Sequence, residues 1–104
     1  MNKSDVDMFN KLSGQLKSAY EEISVLSKKN PNDAVNKFKL KLLNKLIEES
    51  NKLLTGKHKP FNDFNIFDED DMPQNSDIVF ILSQYMKSFN KYRSDNTDEI
   101  GDWL

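Results

Sequence analysis

The sequence predicts an all-α fold: a long antiparallel helical hairpin with a third helix packed along it, a three-helix bundle expected to dimerise. Three observations carry this reading. Apolar residues recur at helical spacing through three stretches of the chain. Asn30-Pro31 and Thr55-Gly56 mark where one helix stops and the next connection begins. The third stretch is apolar nearly all round in its first half, which demands cover from more than one neighbour.

The first helix is expected over about 4–29. Phe9, Leu12, Leu16, Ala19, Ile23 and Leu26 fall at spacings of 3, 4, 3, 4 and 3, a seam of nearly three heptads. Ser4 is placed to cap it, with Asp7 three residues on in the position of the capping-box acid. Met8, Tyr20 and Val25 widen the apolar face beyond the seam. Gly14 lies off the seam and carries no assigned role.

The segment Asn30-Pro31-Asn32-Asp33 reads as a helix start, with Asn30 as cap, Pro31 in the first helical position and Asp33 in the first turn. The second helix is expected over about 31–55. Its stripe is Val35, Phe38, Leu42, Leu43, Leu46, Ile47, Leu53 and Leu54, and Leu40 falls off it as an exposed or interface residue. Lys37, Lys41 and Lys45 line another face at four-residue spacing.

The connection over 57–75 is longer than most loops in small domains. It carries Phe61, Phe64, Ile66 and Phe67, too many large apolar groups for a disordered segment. Two readings stand for the rings. They close over the bundle, each burial contributing about 1.5–3 kcal/mol. Or they form an exposed patch that binds a protein, ringed by Asp68, Glu69, Asp70 and Asp71. The first is the leading reading.

The third helix is expected over about 76–93, capped by Asn75 or Ser76 with Asp77 in its first turn. Its seam is Ile78, Leu82, Tyr85, Phe89 and Tyr92, and Val79, Phe80, Ile81 and Met86 make it apolar on other sides. It is therefore expected at the centre. The whole of 1–95 reads as one helical domain and 96–104 as a flexible acidic tail, with Trp103 as an isolated apolar point.

Composition removes several functions. There is no cysteine, hence neither a disulfide nor a thiolate site. No apolar run reaches the roughly 20 residues of a membrane span, and no signal-like stretch opens the chain, so a cytoplasmic protein without a membrane partner is expected. Asp68–Asp71 fail the calcium-loop pattern in either register, because Phe67 or Met72 occupies a ligand position and no glycine follows. His58 is the only histidine and reads as solvated within Gly-Lys-His-Lys-Pro. With no nucleophile elbow, phosphate loop or paired Glu-x-x-His, no catalytic residue, metal, cofactor or small-molecule substrate is expected.

Charge divides the chain. Residues 1–59 hold 12 lysines against 7 acids, and residues 60–104 hold 3 basic residues against 10 acids. The halves are expected to fold onto each other. The Lys37, Lys41 and Lys45 strip is a weak nucleic-acid candidate, opposed by Glu48, Glu49 and a single arginine in the whole chain. The leading expectation is a non-enzymatic protein-interaction module, a regulator, adaptor or inhibitor. It would bind another protein, or itself, through Phe61, Phe64, Phe67, Asp68, Glu69, Asp70, Asp71 and Trp103. Its alternatives are a nucleic-acid-associated regulator and a structural subunit of a larger assembly.

Overall fold

A computed structural model describes all residues 1–104. Three helices account for the fold: α1 (Lys3–Lys29), α2 (Lys37–Leu53) and α3 (Asn75–Asp95), with 3-10 turns at Gly56–His58 and Glu69–Asp71. There are no strands, only two isolated bridges, Ala34 with Gln74 and Thr97 with Trp103. At 1.5 Å per residue the 27 residues of α1 span about 40 Å, which sets the 42 Å long axis of the bundle. No helix is long and apolar enough to cross a membrane.

α1 is the helix on which both others pack. It runs antiparallel to α2, as the ion pair of Lys39 with Glu22 fixes. It also runs antiparallel to α3, since Phe9 near its start meets Phe89 and Tyr92 near the end of α3. The core holds Phe9, Leu12, Leu16 and Ile23 of α1, Leu40, Leu43 and Ile47 of α2, and Ile78, Leu82, Tyr85, Phe89 and Tyr92 of α3. The expectation of a centrally placed third helix is corrected here. α3 is buried along one face only, and Phe80 is 58% exposed.

The second helix begins six residues later than the local signals suggest. In a helix starting at Pro31, the carbonyls of Pro31 and Asp33 would accept from residues four further on. Here they accept instead from the backbone N–H groups of Ser76 (3.1 Å) and Asn75 (2.8 Å). Those are orphan donors of the first turn of α3, so one helix start is satisfied at the expense of another. Val35 donates its N–H to Pro73 O (3.0 Å), and the buried Asn75 side chain donates to Asn30 O (2.9 Å). The chain turns at Asn30–Asp33, where Asp33 N donates to Asn30 O (3.3 Å), and stays non-helical until Asn36, whose side chain caps α2 by accepting from Lys39 N. At the first helix, Asn2 rather than Ser4 makes the cap, accepting from Asp5 N.

The buried face of α2 is also rotated from the predicted stripe. Leu40, expected outside, is 1% exposed, whereas Phe38 and Leu42, expected inside, are 73% and 52% exposed. The cause is the loop after α2. It docks on the flank that carries Asn44 and Asn51, the side of α2 on which Leu40 lies and Phe38 does not. Gly56 (φ 58) supplies the left-handed turn that starts this loop.

The segment 96–104, read from sequence as a flexible tail, closes a turn on itself. Leu104 N donates to Asn96 O and Asp98 N to Asp102 O, with Gly101 at φ 91. Trp103 then packs edge-on against Phe9, ring centroids 5.0 Å apart, with the Arg93 guanidinium over its face.

Candidate functional site

The phenylalanines of the long loop form a chain of edge contacts. Phe61 meets Phe64 at 6.0 Å and Phe64 meets Phe67 at 5.1 Å, both T-shaped. Phe64 and Phe67 are half-buried against the core, and Phe61 leans on Phe80 of α3 at 6.5 Å. Two asparagines of α2, seven residues apart and so on one face, tie the loop down. The Asn44 amide donates to Phe67 O and its carbonyl accepts from Phe67 N, both at 2.9 Å. Asn51 donates to Asn65 O and accepts from the Tyr85 hydroxyl at 2.7 Å. Burial pushes the Tyr85 phenol above its ordinary range, although its hydrogen bond with Asn51 acts in the opposite direction.

The acids sit directly after these rings. Asp68 caps the 3-10 turn by accepting from Asp70 N at 2.9 Å. Asp68, Asp70 and Asp71 are exposed, Glu69 is half-buried, and none of the four forms an ion pair. No three His, Asp or Glu side chains converge as metal ligands would. The structure thus brings Phe61, Phe64, Phe67 and the four acids into one segment beside α2. Trp103 stands apart from them on Phe9 and joins none of their ring contacts.

The lysines of the second helix, Lys37, Lys41 and Lys45, are all exposed and all free of ion pairs. Beside this row run the two displaced members of the apolar stripe, Phe38 and Leu42. Next to Leu42 opens a groove between α1 and α2, lined by Met8, Leu12, Gln15, Leu42 and Leu46, with Lys11, Lys45 and Glu49 on its rim. Sequence periodicity cannot reveal this surface, because it assigns Phe38 and Leu42 to the core. The only sequence signal is that Asn44 and Asn51 share a helix face with Leu40 and Ile47.

His58 is the other residue that sequence reading misplaced. It is largely buried, edge-on to Tyr92 at 5.2 Å, and its Nε2–H donates to Asp95 at 2.8 Å. Lys91 and Lys57 also reach Asp95, at 3.0 and 3.6 Å. The hydrogen bond from His58, then that from Lys91, hold the Asp95 carboxyl down at about 2. This cluster joins the Gly56–His58 turn to the last turn of α3. The Tyr92 phenol is raised, first by its burial and then by the charge of Asp5.

What the arrangement offers chemically is surface. An ordered helix presents a lysine row, an apolar stripe and a groove in adjacent bands, and an acidic turn follows on the far side of the row. No protein-family model, no curated protein and no solved structure matches this chain.

Proposed function

We propose that this chain is a cytoplasmic, non-enzymatic protein-interaction module whose contact face is the α1–α2 side of the bundle. One observation carries the reading: Phe38 and Leu42, one turn apart on α2, are 73% and 52% exposed, and Leu42 lines the Met8–Leu46 groove. Large apolar groups held out in water on adjacent turns are a cost to the isolated chain that a bound partner removes. The acidic aromatic loop is the second contact region of this reading, with Asp68, Asp70, Asp71 and the edge of Phe61 at its surface.

The experiment is a paired capture from cells that express the protein, with wild type and a Phe38→Ser, Leu42→Ser double variant as baits. A protein retained by the first and lost from the second is then purified and titrated against both. Circular dichroism of the variant must match wild type. Equal binding by both baits sinks this face as the contact surface.

Self-association is the form of the same reading in which the partner is a second copy. It adds a second apolar point, on α3, where Phe80 is 58% exposed. Light scattering of wild type and Phe80→Ser over a concentration series decides it. The nucleic-acid reading draws on the three unpaired lysines of α2. It requires a labelled duplex to shift at low salt and to be released as salt rises.

A further inference from the structure

We propose that the α1–α2 groove seats an acidic amphipathic helix of a partner protein, an inference that rests on the interaction face described above and names its occupant. The first argument is shape. Met8 and Leu12 on one wall and Leu42 and Leu46 on the other run parallel to two antiparallel helices, so the floor is a straight apolar trough. A helix laid in such a trough presents anchors at i, i+3 or i+4, and i+7.

The second argument is charge. The acids that border the trough are already engaged: Glu22 with Lys39 at 3.2 Å and Glu49 with Lys52 at 3.1 Å. Lys11, Lys37, Lys41 and Lys45 are exposed and pair with nothing. The free acids on this side are Glu48, at the end of the lysine row, Asp7, at the mouth of the trough, and Asp68, Glu69, Asp70 and Asp71, which lie across the lysine row from the trough. The edge immediately beside the trough, with Lys11, Lys41 and Lys45, is therefore positive, although the chain as a whole carries −2. A second copy docked with the two-fold axis through the lysine row would set lysines against lysines. A helix with glutamates flanking its apolar stripe meets the rim with opposite sign. The apolar anchors then supply most of the affinity, and the lysines supply orientation and discrimination.

The test uses the full chain and a fluorescein-labelled designed helix of about 18 residues, with leucines at i, i+3, i+4 and i+7 and glutamates on both flanks. The control is the same peptide with lysine at every glutamate. Anisotropy should show the glutamate peptide binding at least about tenfold tighter, as a few partly exposed ion pairs allow, with the margin shrinking as salt is raised. Lys41→Glu with Lys45→Glu should reverse the preference. Leu42→Asp should abolish binding of both peptides, with helicity and melting unchanged. Equal affinity for the two peptides, or a glutamate preference that survives Leu42→Asp, overturns the proposal. A dimer seen by light scattering and broken by Leu42→Asp also overturns it, because a second copy then fills the trough, but leaves the interaction face standing. The face itself fails if Phe38→Ser, Leu42→Ser captures the same proteins as wild type.

Discussion

Asn44 holds Phe67 by both ends of its side-chain amide, donating to the carbonyl and accepting from the N–H of the same residue at 2.9 Å each. The two groups lie 23 residues apart in the chain. Together they satisfy a backbone unit in the middle of a loop that has no ladder of its own. They also decide which flank of α2 is covered. The long loop is pinned here and again at Asn51, and the rings of Phe64 and Phe67 follow it onto the core.

Asn44→Ala should therefore cost about 1–3 kcal/mol in urea unfolding, the range for stranding buried polar groups. Amide exchange at Phe67 should accelerate well beyond that of the helices. Tyr85→Phe removes the hydroxyl that donates to Asn51 and should cost about 1 kcal/mol. A loop that keeps its protection in Asn44→Ala would show that the rings, not the amide, hold it.

Leu40 and Phe38 exchange the roles that periodicity assigns them. Leu40→Ala should destabilise by about 2–5 kcal/mol, the usual range for a fully buried leucine. Phe38→Ser should stay within about 0.5 kcal/mol of wild type. The opposite order in chemical denaturation would mean that α2 is rotated from the face described.

Asp95 gives the fold an acid-sensitive joint. Its carboxyl is held at about 2, below the ordinary 3.8, so the stabilisation is complete above the ordinary value and is lost as pH falls from there through about 2. Melting temperature followed over that window should drop more steeply in wild type than in Asp95→Asn. Parallel curves would assign the acid sensitivity to other carboxylates.

Trp103 closes the end of the bundle against Phe9. Trp103→Ala should cost about 1–3 kcal/mol, less than a fully buried aromatic because one edge faces water. It should leave binding on the α1–α2 face unchanged. Loss of binding without loss of stability would restore Trp103 to the contact surface.

The neutral replacement of Asp68, Glu69, Asp70 and Asp71 separates the two roles of the loop. None of the four carries an ion pair, so melting should fall little, within the effect of losing the Asp68 cap. A steep fall would make the acidic turn a structural element. A fall in partner binding at constant stability would make it part of the contact surface.

The sequence by itself determined that there are three helices and which side chains can reach a core. Period, proline and glycine act within a few residues, and Phe9, Leu12, Leu16 and Ile23 or Ile78, Leu82, Tyr85 and Phe89 line up whatever lies opposite. Tertiary structure decided where α2 begins and which of its faces is covered. Pro31 and Asp33 are good helix openers locally, but their carbonyls find stronger claimants in the first turn of α3, which only the assembled chain brings near. Leu40 and Phe38 are both strongly apolar, and the spacing rule ranks them in the wrong order. The choice falls to Asn44, whose polar amide counts against burial in any apolar pattern. It is buried because the loop backbone satisfies it, and that pairing exists only once the loop has folded back. The same pairing leaves Phe38 and Leu42 facing water, so the proposed contact surface arises where the pattern and the covering disagree.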